Sequence, residues 1–242
     1  MIEISEIFEV NREFEDTEPQ TILEWGITKF KDTISLACSF GAEDVVLLDM
    51  LSKIPARFQA FVLDTGRLPQ ETYNVMEQCR KKYGIEFKVF FPERDKIESL
   101  IERKGPNSFY SSIENRKECC YIRKVEPLSR ALDGLQAWIT GLRREQSVTR
   151  NGVPKVEIDP AHGNILKLNP LADWTNEQVW NYIRAHQVPY NELHDKGYPS
   201  IGCAPCTRAV KLGEDLRAGR WWWEAPELKE CGIHPELKTA KV

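Results

Sequence analysis

The sequence predicts an α/β fold with a mostly parallel sheet and helices on both faces. Short apolar segments at residues 33–38 and 58–63 are each followed by a loop and a helical segment, and a third apolar segment covers residues 85–91. This alternation is typical of βαβ units with right-handed crossovers. A chain of 242 residues provides one large domain, or a domain with an appendage.

The predicted helices have recognisable ends. The first begins with acidic residues and ends at Lys53, as the helix dipole prefers. Gly84 closes the second, and Thr175 with Gln178 forms a capping box at the start of the last. Helices are predicted at residues 43–53, 70–83, 93–104 and 177–186.

The remaining pattern is less regular. Residues 135–140 form a fourth apolar strand, and two more short strands flank Gly163. A basic helical stretch surrounds Cys119 and Cys120, and a short helix is predicted to end at Arg220. No internal repeat and no Gly- or Ser-rich linker marks a second domain.

Charge and hydropathy narrow the class of protein. The chain carries 33 Lys and Arg against 37 Asp and Glu, for a net charge of -4, which argues against a general nucleic-acid binder. No apolar run approaches the roughly 18 residues of a membrane span. Because the first ten residues are acidic rather than basic, we expect an unexported, cytoplasmic protein.

Three loops are expected at the carboxyl ends of the strands, where open parallel sheets bind ligands. They cover residues 39–43, 64–67 and 141–147. The first combines Ser39, Gly41 and the amides of a helix N-terminus, a combination that suits a phosphate or sulfate group. The alternative is an ordinary strand-to-helix turn in which Gly41 provides backbone freedom. The Walker phosphate loop is absent.

Two pairs of cysteines form the sharper motif. Cys119 and Cys120 are adjacent, and Cys203 and Cys206 form a Cys-x-x-Cys. Four thiolates suit zinc or an iron–sulfur cluster. Adjacent Cα atoms lie about 3.8 Å apart, which disfavours a disulfide within the first pair. The alternatives are that the first pair is incidental and that the second is a dithiol redox switch.

The other cysteines are interpreted separately. Cys38 and Cys79 lie in apolar patterns and are predicted to be core residues. Cys231 could be reactive if basic neighbours favour its thiolate, although a surface thiol in a loose terminus is the commoner case. The candidate neighbours are Arg217, Arg220, Lys229 and His234. The histidines at 162, 186 and 194 lack ligand-like spacing and are interpreted as solvated or structural.

These motifs together resemble a known family. The matching segments are SFGAED at 39–44, LDTGR at 63–67, CCYIRK at 119–124, TGLRREQS at 140–147, the Cys-x-x-Cys at 203–206 and ECGIH at 230–234. In these segments the chain resembles the assimilatory adenylyl-sulfate reductases of the bacterial, thioredoxin-dependent kind, within the larger family of phosphoadenylyl-sulfate reductases.

The resemblance implies a fold, a cofactor and a reaction. It implies an adenine nucleotide alpha hydrolase-like domain at residues 1–212, related to PP-loop pyrophosphatases, and a C-terminal segment at 213–242 that carries a nucleophilic Cys231. It also implies a [4Fe-4S] cluster on Cys119, Cys120, Cys203 and Cys206. The expected partners are adenosine 5'-phosphosulfate and thioredoxin, with no nucleic acid or membrane, and a homo-oligomer is expected.

The resemblance also assigns roles to individual residues. Lys124, Arg144 and His234 would act with Cys231 at the sulfate, and Arg143 could replace Arg144. Substrate binding is expected from the two nucleotide-facing loops and two further arginines: Ser39, Phe40, Gly41, Asp64, Thr65, Gly66, Arg67, Arg217 and Arg220.

The sequence leaves three alternatives to this reductase function open. The enzyme could accept phosphoadenylyl sulfate as well, or prefer it. A PP-loop enzyme that thiolates RNA would share the fold, but it normally has a second glycine and a serine where this chain has Ala42 and Asp44. A non-enzymatic nucleotide sensor would have no need of Cys231.

Overall fold

Six strands form a single sheet in the order β3-β2-β1-β4-β6-β5. The computed structural model describes residues 4–146, 150–225 and 232–233. Neighbouring strands are parallel except β5 and β6, which pair antiparallel, so the predicted mostly parallel sheet is confirmed. The strands are β1 (Ile34–Ala37), β2 (Gln59–Leu63), β3 (Phe87–Phe90), β4 (Ala137–Ile139), β5 (Val156–Asp159) and β6 (Ile165–Leu168).

Helices cover both faces of this sheet, as expected. They are α1 (Ile4–Phe14), α2 (Pro19–Phe30), α3 (Ala42–Ser52), α4 (Gln70–Tyr83), α5 (Arg94–Lys104), α6 (Ile113–Cys120), α7 (Glu126–Leu132) and α8 (Asn176–Ala185). A π-helical turn at Tyr121–Val125 joins α6 to α7. Within the described part of the chain, no helix has the length and apolar character of a bilayer span.

Alternation along the strands divides the apolar core in two. Leu36 and Val62 belong to the larger cluster, which also holds side chains of α2, α3 and α8. Phe61 and Trp138 belong to a second cluster, with Leu128 and other α7 side chains. Because successive strand residues face opposite sides of a sheet, the two clusters lie on its two faces.

The helix ends follow the local sequence signals. α4 begins and ends where predicted, and Gly84 follows it with a φ of 63°, a left-handed conformation that glycine adopts without strain. The Thr175 hydroxyl accepts from the Gln178 amide, and the Gln178 side chain accepts from the Thr175 amide. The predicted capping box is therefore confirmed.

The short helix predicted before Arg220 is wrong. Residues 212–224 form turns, and Arg220 pairs with Thr207 in an isolated antiparallel bridge. Acidic side chains hold these turns: Glu214 accepts from the Lys211 amide and Asp215 from the Arg217 amide. Such local bonds compete with the helical hydrogen-bond pattern. The domain division at residue 212 stays a prediction.

The strand order fixes the position of the ligand site. β1 pairs with β2 on one side and with β4 on the other, so the chain leaves β1 in one direction and later returns to its opposite edge. The connections diverge at this switch point, and a crevice opens outside the carboxyl ends of the strands.

Candidate active site

A pocket of about 640 Å³ lies at the carboxyl ends of β1, β2 and β4. Its wall includes Ser39 and Gly41 after β1, Leu63 at the end of β2, and Thr140 and Gly141 after β4. The volume falls in the range of small-molecule sites, about 300–1,000 Å³. We call this cavity the nucleotide pocket.

Asp44 holds the loop that begins at Ser39. Its carboxylate accepts from the Ser39 amide at 2.7 Å and from the Ser39 hydroxyl at 2.6 Å. Asp44 is buried in the first turn of α3, where a negative charge is favoured by the helix dipole. The loop is thus fixed in position before a ligand arrives.

Two neighbours in this loop play different parts. Phe40 has a φ of 59°, is only 1% exposed and packs edge-on against Phe87, so its side chain serves the core rather than the pocket wall. Gly41 has a φ of -66°, an ordinary value, so left-handed backbone freedom does not explain its presence. The placement of Phe40 leaves only its backbone for the predicted substrate contact.

The loop after β4 packs closely on the start of α3. A Cβ at Gly141 would lie 2.7 Å from both an Asp44 carboxylate oxygen and the Glu43 Cβ. Only glycine fits this approach, which brings two walls of the nucleotide pocket together. Neither Gly141 nor Asp44 was among the predicted site residues. The available signals were a glycine directly after the strand β4 and an acid in the first turn of the helix that follows β1.

The loop at residues 64–67 lies on the other side of the pocket wall. Asp64 accepts from the Gly66 amide and the Tyr73 hydroxyl, and Arg67 donates to the Pro106 carbonyl. None of the four predicted contact residues in this loop lines the nucleotide pocket. Their predicted contact with the substrate therefore has no direct support from the lining of this pocket.

This loop instead borders the cysteines. Cys203 Sγ lies 3.2 Å from Thr65 Oγ1, and the Ala204 amide donates to the Arg67 carbonyl. Arg123 donates to the Thr65 carbonyl at 2.5 Å. The loop thus connects β2 to the second pair of cysteines.

The four predicted metal-ligating cysteines converge on one small cavity. Cys119 and Cys120 end α6, Cys203 precedes a 3₁₀ turn whose last residue is Cys206, and all four line the cavity together with Phe109 and Trp221. All four are free thiols. Burial, followed by the effect of nearby thiols, raises the pKa of Cys206 to about 12. We call this cavity the cysteine pocket.

The donor set of the cysteine pocket fits an iron–sulfur cluster. Among the described residues, no three His, Cys, Asp or Glu side chains converge as a single metal ion requires. Four cysteines spread around one largely apolar cavity match the usual ligands of a [4Fe-4S] cluster, whose binding would displace the thiol protons.

The two pockets share one wall. Lys124, Arg220 and Trp221 line both cavities. Lys124 lies in the π-helical turn directly after the cysteine pair, and such turns are frequent at functional sites. Arg217 lines the nucleotide pocket. The structure thus brings together three of the predicted sulfate-binding cations.

Arg143 and Arg144 point in different directions. Arg143 is 2% exposed, lines the nucleotide pocket and donates to Glu43 at 2.8 Å. Arg144 forms a bidentate pair with Glu15, directly after α1, at 2.6 and 3.0 Å and does not line the pocket. The structure therefore brings Arg143, rather than the predicted Arg144, to the nucleotide pocket, because Glu15 holds the Arg144 guanidinium elsewhere.

The predicted nucleophile lies outside the described residues, as does His234. Between them, Ile233 lines the nucleotide pocket and packs against the Phe61 and Trp138 cluster. Cys38 and Cys79 are buried as predicted.

Fold and site together define a nucleotide-binding α/β protein with a cysteine-lined pocket beside its ligand cavity. The phosphoadenosine phosphosulfate reductase domain family matches residues 33–209. The chain belongs to this family.

Relatives in the family are closely similar. An adenosine 5'-phosphosulfate reductase of Allochromatium vinosum is 54% identical over 203 residues, which cover 84% of this chain and 79% of the relative. The corresponding protein of Burkholderia cepacia is 51% identical, with 84% and 81% coverage. A phosphoadenylyl-sulfate reductase of Candida auris, solved in complex with phosphate, superposes with a TM-score of 0.75 at 29% identity. The aligned region covers 87% of this chain and 98% of the Candida auris chain.

The burial of the Asp44 carboxyl group predicts how the free energy of unfolding depends on pH. Burial raises the pKa of Asp44 from 3.8 to about 6, although hydrogen bonds from Ser39 act to lower it. Between about pH 4 and 6 the folded protein holds more protons than the unfolded chain, so the free energy of unfolding falls as the pH rises. Asp44→Asn should raise the free energy of unfolding by roughly 1–3 kcal/mol at about pH 7.5, and have little effect near pH 4.

Asp49, which is also buried in α3, provides the control. Burial acts to raise its pKa, but hydrogen bonds from Lys53, Tyr182 and Tyr83 lower it overall. Its contribution to stability is present at neutral pH and lost as the pH falls, so Asp49→Asn should destabilise at neutral pH. Urea unfolding at both pH values measures these changes. Equal effects of Asp44→Asn on the free energy of unfolding at the two pH values would contradict a raised pKa of Asp44.

Proposed function

We propose that the chain reduces adenosine 5'-phosphosulfate to sulfite and AMP, with thioredoxin as the electron donor. The observation that carries the proposal is the shared wall of Lys124, Arg220 and Trp221 between a nucleotide-sized pocket and a four-cysteine pocket. Family membership and the names of the most similar relatives support the same reaction.

The nucleotide pocket has suitable groups for an anionic substrate. The Ser39 loop leads into the N-terminus of α3, whose first amides and dipole favour phosphate. Lys124, Arg217 and Arg220 provide cations in the same pocket. Fixed cations stabilise negative charge that moves onto the leaving AMP phosphate as the sulfuryl group is transferred.

The proposed reaction is a sequence of three substitutions at sulfur. The Cys231 thiolate attacks the sulfuryl sulfur, the bond from that sulfur to the phosphate oxygen breaks, and AMP leaves with the bonding electrons. The product is an enzyme S-sulfocysteine. A thioredoxin thiolate then attacks the Cys231 sulfur and displaces sulfite. The second thioredoxin thiol resolves the mixed disulfide and restores the Cys231 thiolate.

The remaining groups are assigned to orientation and charge. Ile233, two residues after Cys231, lines the nucleotide pocket, which agrees with a role of this segment at the substrate. His234 is proposed to assist at the sulfate. Arg143 is held by Glu43 and by the Trp174 carbonyl, and it is proposed to face the substrate phosphate.

The proposed [4Fe-4S] cluster would be held by the four cysteines of the cysteine pocket. When bound, it would supply a local field that tunes the charge at the neighbouring substrate site. Lys124 follows the Cys119 and Cys120 pair by four residues and also lines the nucleotide pocket, so the chain itself links the two sites.

The reaction is tested by sulfite release from adenosine 5'-phosphosulfate with reduced thioredoxin. Cys231→Ser should abolish turnover, because the hydroxyl cannot form the S-sulfocysteine. Cys79→Ser is the control, since Cys79 is buried in α4 away from the pocket. Mass spectrometry without thioredoxin should find the sulfo group on Cys231. Full turnover of Cys231→Ser would refute the mechanism, and a preference for the 3'-phosphorylated nucleotide would change the substrate assignment.

The two neighbouring arginines provide a second test. Arg143→Gln should lower kcat/KM by about 100-fold, because it removes a cation from the nucleotide pocket. Arg144→Gln should change kcat/KM by no more than a few fold, because its partner is the half-exposed Glu15. Thermal unfolding identifies any loss of kcat/KM that comes from misfolding. The reverse order of the two effects would restore Arg144 as the substrate ligand.

A further inference from the structure

Arg116 occupies an unusual position beside the cysteine pocket. It lies in α6, one turn before the adjacent cysteines, and its side chain is 0% exposed. Its guanidinium donates to both carboxylate oxygens of Glu224, at 2.9 and 2.7 Å, and the Glu224 side chain is only 3% exposed. The guanidinium also interacts with the Cys120 thiol.

The segment that contains Glu224 is held by further contacts. Trp221 is 1% exposed, and two guanidinium groups lie over its ring, that of Arg116 at 5.0 Å and that of Arg220 at 4.7 Å from the ring centre. The Trp221 amide donates to the Cys206 carbonyl, and the Glu224 amide donates to the Trp221 carbonyl. Residues 220–224 therefore contact both pairs of cysteines.

The backbone conformation of Trp221 also indicates that this segment is held by its surroundings. Its φ is 40°, within the left-handed region that bulky residues rarely adopt. Such a conformation persists only where the surroundings over-determine it, and it is common at functional sites. The buried pair and the two flanking guanidiniums provide those surroundings.

Stability alone is a poor explanation for the pair. Removing two charges from water carries a large desolvation penalty, and well-packed apolar residues are often at least as stabilising. A bidentate pair does, however, fix the relative position of its two segments. Here those segments are the helix with the first cysteine pair and the chain that leads, seven residues after Glu224, to Cys231.

We propose that Arg116 is a positioning residue that fixes residues 220–224 against the cysteine pocket through Glu224 and Trp221. In this way it aligns Arg220 at the wall shared with the nucleotide pocket and sets the point from which the Cys231 segment departs. The catalytic consequence rests on the proposed function, whereas the positioning itself does not.

Glu224→Gln is the most direct variant, since it keeps the shape of the side chain and removes its charge. Glu214→Gln is the matched control: Glu214 also forms a bidentate pair, with Arg208 at 2.8 and 2.9 Å, but both side chains are about one-third exposed. The full chain is studied after anaerobic purification. The readouts are amide hydrogen exchange of peptides covering 217–225, and kcat and KM for sulfite release.

We expect Glu224→Gln to speed exchange in these peptides by at least about tenfold, while exchange in α3 and α4 stays unchanged. The kcat should fall about tenfold with KM within about twofold, because Arg220 is displaced while Lys124, Arg217 and the Ser39 loop still line the nucleotide pocket. Glu214→Gln should change neither quantity. Exchange in Glu224→Gln that equals that of the parent would overturn the proposal.

Other outcomes are also informative. If the parent releases no sulfite, the proposed function fails, but the exchange comparison still tests the positioning role. If Glu224→Gln does not fold, amide hydrogen exchange in the parent protein tests the positioning role instead. Strong protection of residues 221–225, comparable to that of α6, supports the proposal. Exchange as fast as in the exposed turn around Leu212 would overturn it.

Discussion

Parallel pairing of β1 with β2 on one edge and with β4 on the other is the constraint on which the site depends. It brings the carboxyl ends of three strands to one place and leaves the crevice between diverging connections open. The close approach of Gly141 to the start of α3 then defines the width of that crevice. The nucleotide pocket is therefore a consequence of strand order together with one glycine.

The charged residues around the pocket follow a common arrangement. Asp44 is buried and accepts a hydrogen bond from Ser39. Arg143 is buried and paired with Glu43, and Arg116 is buried and paired with Glu224. Each pair joins segments far apart in sequence or fixes a loop. Because breaking a buried ion pair costs much more than breaking an exposed one, the Arg143–Glu43 and Arg116–Glu224 pairs are suited to hold the walls of a site in one position.

Local sequence signals predicted the regular elements well. The bounds of α4 and the capping box of α8 depend on a few neighbouring residues, and both were confirmed. The turns before Arg220 were missed because side-chain bonds from Glu214 and Asp215 replace helical ones, a competition that hydrophobic periodicity does not report. Motif matching foresaw the convergence of four cysteines distant in sequence.

Side-chain direction was the part that the sequence could not supply. Arg143 and Arg144 are adjacent, and their directions depend on distant partners: Glu43 holds Arg143 at the pocket, and Glu15 holds Arg144 away from it. Phe40 lies in the expected loop, but a positive φ turns its side chain into the core. The loop at 64–67 also follows a strand as predicted, yet its contacts lead to the cysteines rather than the nucleotide pocket. These outcomes depend on tertiary contacts.

We propose that an iron–sulfur cluster occupies the cysteine pocket beside the nucleotide pocket. Anaerobic purification followed by iron and acid-labile sulfide analysis and an absorption spectrum tests it most directly. The account predicts a brown protein with about four irons and four sulfides per chain, and their loss in Cys203→Ser. A colourless protein that binds zinc or no metal, yet releases sulfite at full rate, would contradict it.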